Sequence, residues 1–546
     1  MRLDKVTIGD WKNLKDFHVD FDEESPYTVL VGENGAGKSN LIEALTLIFR
    51  NLDLDLPAPF DYQLQYRCRA QSIRVVAGAD GGLRFELLDQ ENGSFKEISK
   101  RRFMEVDAAG KPLFRPAFVF GYYSGPSDRL ASLYEEHRRR YYRLIIQPQS
   151  KRDAKPVDSN ALRRLFYAQT LHGQFALLAF FMDQENGAGA EDREFLREHL
   201  QIEGLDSVLF ALKRPPWFTT GKKGGDPRFW KAEGEVRDFL DRLYSAALLP
   251  MRMDRRIPID LQKDPLVESL YLFLPNSAAL ESVYRSYGSQ YSFFTALEST
   301  YISKVLAEVR TRVRMTEAVG GGAVTYRDLS EGEQQLLLVL GLLKFTAEDE
   351  ALFLLDEPDT HLNPAWSTQY LEFLDRFIQL KKRGETCHII MTSHDPLVFS
   401  RLERTEVQVF VRDKQGHVSA QQPAQDPRGM GIEAILSSDL FRLRSGGLDL
   451  PTQRDLDIQR RLSMKEEPLT EQERQELKVV TERLDGLGFW RSGQDKLFEL
   501  FLQKWTERER PEWRQAVELT PEQLHDREKL AADIVAEISV GGSENT

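Results

Sequence analysis

Two hydrophobic rhythms divide the chain. In "KVTIGDWKNLKDFHVDF" the apolar residues Val6, Ile8, Phe17, Val19 and Phe21 recur at every second position, which predicts two strands with a tight connection. "YTVLVGENGAGKSNLIEALTLIF" follows as a continuous apolar strand, a glycine loop and a helix with one apolar face. "QSIRVVAGADGGLRFELLD" predicts a hairpin turning at Asp-Gly-Gly, and "FRPAFVFGYYSG" a short buried strand ending in a turn.

After Gly125 the pattern changes to long charged and aromatic stretches such as "ALRRLFYAQTLHGQFALLAFFMDQ" and "YSFFTALESTYISKVLAEVRTRV". They predict a mostly helical insertion over residues 125–316 with a small core of its own. Strands return in "ALFLLDEP" and "CHIIMTSHD", with a helix between them, and "EVQVFVRDKQGHVSAQ" reads as a hairpin. Beyond about 425 the chain is again helical: Thr470 with Glu473 makes a capping box ahead of Leu477, Val480, Leu484 and Leu487, and Thr520, Pro521 and Gln523 do the same for a last helix. "SVGGSENT" reads as a frayed tail.

The chain of 546 residues is long enough for two to four domains. The composition shifts suggest 1–124, 125–316, 317–424 and 425–546. A hydrophobic content of 41% and a charged content of 29% suit a globular protein with a sizeable interior. The net charge of -13 argues against a basic coat over the whole surface, though a local basic groove remains compatible with it. Two cysteines, Cys68 and Cys387, are too few for a disulfide framework and point to a reducing cytosol. The N-terminus lacks a signal-like apolar core, and the longest apolar run, Phe175 to Met182, is too short for a bilayer. The expectation is a cytoplasmic protein with no membrane segment.

"GENGAGKS" fits the phosphate-loop pattern in full, after a strand and before a helix. Its glycines let successive N–H groups of Gly32, Glu33, Asn34, Gly35, Ala36 and Gly37 turn toward phosphate oxygens. Lys38 adds a charge for the β- and γ-phosphates, Ser39 a hydroxyl for Mg²⁺, and Asn40 continues into the helix. In "ALFLLDEPDTHLNP" the apolar run ends at Asp356, where open α/β sheets bind ligands. Asp356 is expected to hold Mg²⁺, and Glu357 to orient or polarise the attacking water. "IIMTSHD" repeats the arrangement and places His394 at a neighbouring strand end, within reach of the γ-phosphate. "LSEGEQQLLLVL" puts a Ser and a Gly at the start of an apolar helix, a second anion-binding end in a chain that already has a phosphate cradle.

With those motifs in order, the chain resembles ABC-type ATPases of the RecF, SMC and Rad50 branch. "LSEGEQQ" is similar to their signature, "DEPDTHLNP" to their Walker B and D-loop, and His394 to their switch histidine. The resemblance implies an α/β ATPase head with a mixed sheet, interrupted by the insertion and followed by a helical C-terminal region. It also implies a dimer, or a higher oligomer, that sandwiches two ATP molecules. Ser330, Gly332 and Glu333 of one subunit would then act on the nucleotide of the other, and Asp359 would lie at the seam. The branch commonly ligates Mg²⁺ with a Gln at the end of the strand before the insertion; here Tyr122 to Gly125 holds none, and Gln63 and Gln65 lie in an earlier strand.

A finer resemblance is to the PtuA ATPases of Septu and Septu-containing retron antiphage systems. It rests on "DREFLREHLQIEGLDSVLFALKRPPWF", "GIEAILSSDLF" and "RLSMKEEPLTEQERQELK". It implies an ATPase that positions and restrains a small HNH nuclease of the PtuB kind, with residues 425–546 as the partner-binding region. In a retron version a reverse transcriptase and its multicopy single-stranded DNA would join. A RecF-like repair ATPase that binds duplex DNA without a nuclease is the competing expectation. The stretch "HRRRYYRLIIQPQSKR", with Arg138, Arg139, Arg140 and Arg143 beside Tyr141 and Tyr142, is the main candidate for nucleic-acid contact; "EVRTRVRM" and "MRMDRR" are weaker ones.

Overall fold

The computed structural model describes residues 1–147, 163–182, 188–256, 265–346, 350–379, 386–443, 448–465, 468–487, 504–505, 508 and 521–541, apart from positions 23, 79, 90, 109, 222 and 223. The chain divides into two compact units, Met1–Gly446 and Gly447–Thr546. The break therefore falls later than the expected 425. The physical reason is that Ile435 and Leu440 are buried in the core of the first unit.

The first unit opens with the expected hairpin, β1 (Arg2–Trp11) and β2 (Leu14–Asp20), then β3 (Tyr27–Gly32) and α1 (Lys38–Leu54). Antiparallel strands β4 (Tyr62–Cys68), β5 (Gln71–Ala77), β6 (Leu83–Asp89) and β7 (Ser94–Ile98) follow, with a helical turn α2 (Lys100–Phe103) and then β8 (Phe118–Tyr123). The insertion contributes α3 (Arg129–Leu133), α4 (Glu135–Ile146), β9 (Leu165–Tyr167), α5 (Thr170–Phe180), α6 (Ala188–Leu200) and β10 (Ile202–Lys213). It continues with α7 (Gly234–Ala246), β11 (Met251–Arg256), β12 (Leu266–Leu274), α8 (Ser277–Tyr284), α9 (Gln290–Ile302) and β13 (Leu306–Met315). The remaining elements are β14 (Ala323–Thr325), α10 (Glu331–Thr346), β15 (Ala351–Asp356), α11 (Pro364–Gln379), β16 (Cys387–Thr392), α12 (Pro396–Phe399), β17 (Val407–Arg412), β18 (Val418–Gln421) and α13 (Ile432–Ser437).

The central sheet has the order β18-β17-β3-β16-β15-β8-β9, parallel throughout except for β18. Its strands are apolar on both faces because both faces are covered. Phe353 and Leu355 of β15, Val29 and Val31 of β3, and Ile389 and Met391 of β16 enter one core with the helices of the insertion. Their alternates, Leu352, Leu354, Leu30 and Ile390, enter a second core with α1 and the sheet β2-β1-β4-β5-β6-β7. The result is the α/β, mixed-sheet architecture expected of an ABC-type ATPase head.

The insertion is rich in helix, as its pattern suggests, but two readings of it need correction. Four of its strands, β10 to β13, build with β14 a five-stranded antiparallel sheet of order β11-β12-β10-β13-β14, while β9 joins the central sheet. The stretch 291–313 changes from helix to strand after Ile302. Val309, Thr311 and Val313 point inward there while Arg310, Arg312 and Arg314 are exposed, the period of two of a strand under an arginine-rich composition that suits a charged helix as well. Nor does the insertion keep a separate core. Phe294 of α9 meets Phe345 of α10 at 5.3 Å between ring centroids, and Phe195 of α6 meets Phe377 of α11 at 5.2 Å.

The second unit is helical where described: α14 (Leu450–Ser463), α15 (Glu471–Gly486) and α16 (Pro521–Gly541). Thr470 and Glu473 form the expected capping box on α15, and Arg483 ties α15 to Asp455 of α14 at 2.8 Å. Thr520 lies outside the described residues; the final helix runs through Gly541, past the start of the expected tail.

The helix that carries the signature crosses α5 closely, because a Cβ on Gly341 would lie 2.2 Å from the Cβ of Ala176. Gly341→Val is expected to destabilise the first unit by about 1–3 kcal/mol. Adding Ala176→Gly should recover part of the loss. Thermal melts of the two single variants and the double variant check this, and additive losses would count against a shared contact.

Candidate nucleotide site

The parallel order β3-β16-β15-β8 brings four strand ends together, and each delivers one piece of the site. From β3 comes the glycine loop, from β15 Asp356 and Glu357, from β16 Thr392 to His394, and from β8 Tyr123 and Ser124. This is where ligands bind in open α/β sheets.

The loop has glycines where backbone must approach backbone. Gly32 has φ 148°, and a Cβ there would lie 2.4 Å from the Phe410 carbonyl. Gly37 has φ 104°, and a Cβ would press on Leu14 at 2.9 Å. The β1–β2 turn braces the loop from outside: Asn13 donates to the Gly35 carbonyl at 3.0 Å and accepts from Asn40 at 2.6 Å. Asn40, expected at the nucleotide, is thus occupied by Asn13. Lys38 Nζ donates to the carbonyls of Gly32 (2.7 Å) and Glu33 (3.2 Å). Burial pushes the Lys38 ammonium down to about 8, against the pull of Asp356 and Glu357.

Asp356 Oδ1 accepts from Ser39 Oγ at 3.0 Å and from Thr392 Oγ1 at 2.8 Å. Ser39 and Asp356 together offer hard oxygen donors. Among the described residues no group of three or more His, Cys, Asp or Glu could hold a metal by itself. So small a protein donor set fits Mg²⁺, which keeps several waters and takes phosphate oxygens to complete its shell. The position where a Gln was sought is filled differently: Ser124 N–H donates to the Asp356 carbonyl at 3.2 Å, and Ser124 Oγ lies 3.1 Å from Thr360 Oγ1.

Glu357 adopts φ 55°, a left-handed conformation costly for a residue with a side chain. Three contacts enforce it. Its N–H donates to Thr392 Oγ1 at 2.9 Å, and its carbonyl accepts from Thr360 Oγ1 at 3.0 Å and from Gln335 Nε2 at 3.4 Å. The kink turns its carboxylate toward His394, whose Nε2 lies 3.7 Å from Oε1. Both side chains are partly exposed, 38% and 39%. Burial and the nearby Lys38 push the His394 imidazolium below the usual histidine range, so the ring is neutral at pH 7.

The signature residues form a reciprocal cap. Glu333 N–H donates to Ser330 Oγ at 3.3 Å, while Ser330 N–H and Oγ–H donate to the Glu333 carboxylate at 2.7 and 2.8 Å. The Glu in place of the family's Gln thus supplies the return half of a capping box. Gly332 allows the D-loop to approach, since a Cβ there would lie 2.5 Å from the His361 carbonyl. Gln335, buried and outside the expected set, bridges helix and loop by accepting from His361 N–H at 3.3 Å and donating to Glu357. Asp359 is buried within the chain rather than exposed at a surface, its carboxyl held by Ser393 Oγ. Burial raises that carboxyl to about 6.

The arginines of α4 are paired along their own helix. Arg138 and Arg139 reach Glu135, and Arg140 reaches Glu136. Arg143 is exposed, and the end of the quoted stretch, 148–152, lies outside the described residues. A cavity of about 250 Å³ beside the loop is lined by Glu33, Asn34, His394, Arg412, Asp439 and Arg442 among others, so "GIEAILSSDLF" ends next to the phosphate loop. A cavity of about 1120 Å³ lies between α6, the start of β10 and the turn that joins β13 to β14, and shares no residue with the site. Among the described residues no helix is long and apolar enough to cross a membrane.

Comparison with known proteins gives three findings. A family model described as "AAA domain, putative AbiEii toxin, Type IV TA system" matches residues 27–400. The Septu protein PtuA of Bacillus mycoides (strain KBAB4) is 25% identical over 199 residues, 35% of this chain. The chain spans about a quarter, 26%, of the length of that curated relative. Among solved structures, an SMC head bound to the C-terminal winged-helix domain of ScpA is similar at 11% identity and TM-score 0.29 over 77% of this chain and 98% of that one. ATP-bound RecF is similar at 14% identity and TM-score 0.26, over 77% of this chain and 99% of that one.

The Asp359 carboxyl has a testable consequence. Its raised value means that, between about 4 and 6, the native chain keeps a proton that the unfolded chain has lost. The cost is fully present above pH 6 and disappears below the unfolded value. Asp359→Asn should therefore be more stable than the parent at pH 8, on the order of 1–3 kcal/mol, with the gain shrinking toward pH 4. Denaturant unfolding at both pH values checks it, and a gain independent of pH would remove burial as the cause.

Proposed function

The chain belongs to this AAA-domain family, and from that premise we propose that it is an ATP-hydrolysing switch subunit that closes as a homodimer around nucleotide. The observation that carries the reading is the convergence of Ser39 and Thr392 on Asp356, beside a Glu357 whose backbone is forced toward His394.

In this reading the triphosphate enters the Gly32–Ser39 loop and takes Lys38 away from the Gly32 and Glu33 carbonyls. Ser39 and Asp356 would hold Mg²⁺, which when bound would supply Lewis acidity toward the phosphates. Glu357 accepts a hydrogen bond from the attacking water, and the neutral His394 donates toward the γ-phosphate. Ser330 and the N-terminus of α10 complete the site across the dimer, on exchanging the internal cap for phosphate oxygen. Because Asp359 is buried, its exposed neighbours Thr360 and His361 form the seam in its place.

The switch acts on a partner nuclease of the HNH class, positioned and restrained according to nucleotide state, with the unit 447–546 as its docking region. The partial match to a Septu PtuA and the three stretches quoted above support this choice. In a retron setting the same subunit would also meet a reverse transcriptase and its single-stranded DNA. A duplex-binding repair role draws little support from α4, whose Arg138, Arg139 and Arg140 are paired with Glu135 and Glu136.

Glu357→Gln is expected to retain ATP binding while phosphate release falls by about 10²-fold or more. The same variant, tagged and captured from cells carrying its native gene neighbourhood, should bring down a small HNH protein. Duplex DNA with no stoichiometric protein partner would move the assignment to repair. The dimer is tested by mixing Lys38→Ala with Ser330→Arg. Half of the dimers would be mixed and each would hold one intact composite site, so about a quarter of parental activity should return. A mixture as inactive as either variant would rule against catalysis across the dimer.

A further inference from the structure

Asp356 has a third partner that no motif includes. Arg129, the first residue of α3, places Nη2 2.9 Å from Asp356 Oδ2. Its Nε lies 3.4 Å from Glu43 Oε1 on α1, and its guanidinium carbon 5.1 Å from the centroid of the Tyr123 ring. The side chain of Arg129 is 38% exposed, whereas those of Asp356 and Glu43 are 3% and 7% exposed. A cation thus reaches inward, past an aromatic face, to the buried Asp356, and shares Glu43 with Lys12, which pairs with its other oxygen.

The oxygens involved belong to the carboxylate that the site reading gives to Mg²⁺. A guanidinium and a divalent ion on one carboxylate repel each other strongly in a partly buried site. We propose that Arg129 is the resting counter-ion of the metal carboxylate: it holds Asp356 while the site is empty and leaves it when Mg²⁺ enters with nucleotide. This proposal rests on the Mg-ATP reading given above. Glu43, on the same helix as Ser39, stays behind as the second partner, so the displacement is a short swing and not an expulsion. Arg129 begins the first helix of the insertion, and α4 starts directly after α3. The swing therefore reports occupancy of the site to the helices that pack on the ATPase sheet, and Arg129 is a positioning residue in that sense.

The test measures how much Mg²⁺ is needed to half-saturate binding of a fluorescent ATP analogue. In Arg129→Ala that concentration should fall by about five- to tenfold, because the internal competitor is gone. Arg129→Lys should restore part of the parental requirement. In the unaltered protein, hydrogen exchange in peptides covering 126–146 should change with ATP and Mg²⁺ together, and not with ATP and a chelator. A half-saturating Mg²⁺ concentration that stays the same in Arg129→Ala overturns the proposal. One that rises also overturns it and makes Arg129 a nucleotide ligand. Unaltered exchange over 126–146 overturns it without recourse to a variant. If binding to the parent does not depend on Mg²⁺ at all, the site reading fails as well, which separates the two failures.

Discussion

A single buried carboxylate organises the first unit. Asp356 ends a strand that is apolar on both faces, so it leaves the core where there is little water to solvate it. It can be charged there only if other parts of the chain supply donors, and they come from stretches distant in sequence: Ser39 after the glycine loop, Thr392 on β16, and Arg129 at the start of the insertion. The parallel register of β15 with β16, and of β16 with β3, is what makes those donors coincide. A shift of one residue in either pairing would exchange the two faces and carry the carboxylate to the wrong side.

The start of α10 obeys two demands at once. As a helix end it needs its first N–H groups satisfied, and Ser330 and Glu333 do that reciprocally. As a surface offered to another subunit, in the proposed dimer, it needs the same groups free. The chain resolves this by keeping the cap polar and exposed while fixing the helix from behind, through Gln335 on the D-loop and the close crossing of Gly341 over Ala176. The aim of the helix is thus independent of what its cap binds.

Much of this was legible in the sequence. The phosphate loop, the strands ending at Asp356 and ahead of His394, and the first hairpin all follow from local periodicity and from residue types that have few alternative uses. What was missed shares a different character. Asn13, Gln335 and Thr392 are ordinary polar residues whose role depends on which strand ends become neighbours, and no local pattern encodes that. Arg129 lies at a junction where the hydrophobic rhythm changes, and its importance exists only through Asp356. The sheet inside the insertion was hidden because Arg310, Arg312 and Arg314 on the exposed face of β13 give it the composition of a charged helix. The resemblance put Asp359 at the dimer seam, while within the chain it is buried against Ser393, just past the end of β16 and outside that motif.

The polar groups of the site satisfy one another. Lys38 donates to the carbonyls of its own loop, Ser330 to Glu333, and Arg129 to Asp356, so each group with a proposed ligand role already has an internal partner. Such a site gains little from weak or incomplete ligands, because each new hydrogen bond replaces an existing one of similar strength. Only a ligand that replaces the contacts together, with a higher density of charge, shifts the balance. A nucleotide carrying its metal has that property, and a partner helix end without nucleotide does not. An all-or-none exchange of internal for external partners is the behaviour a switch requires, since the resting state is then a defined structure and not merely the absence of the bound one.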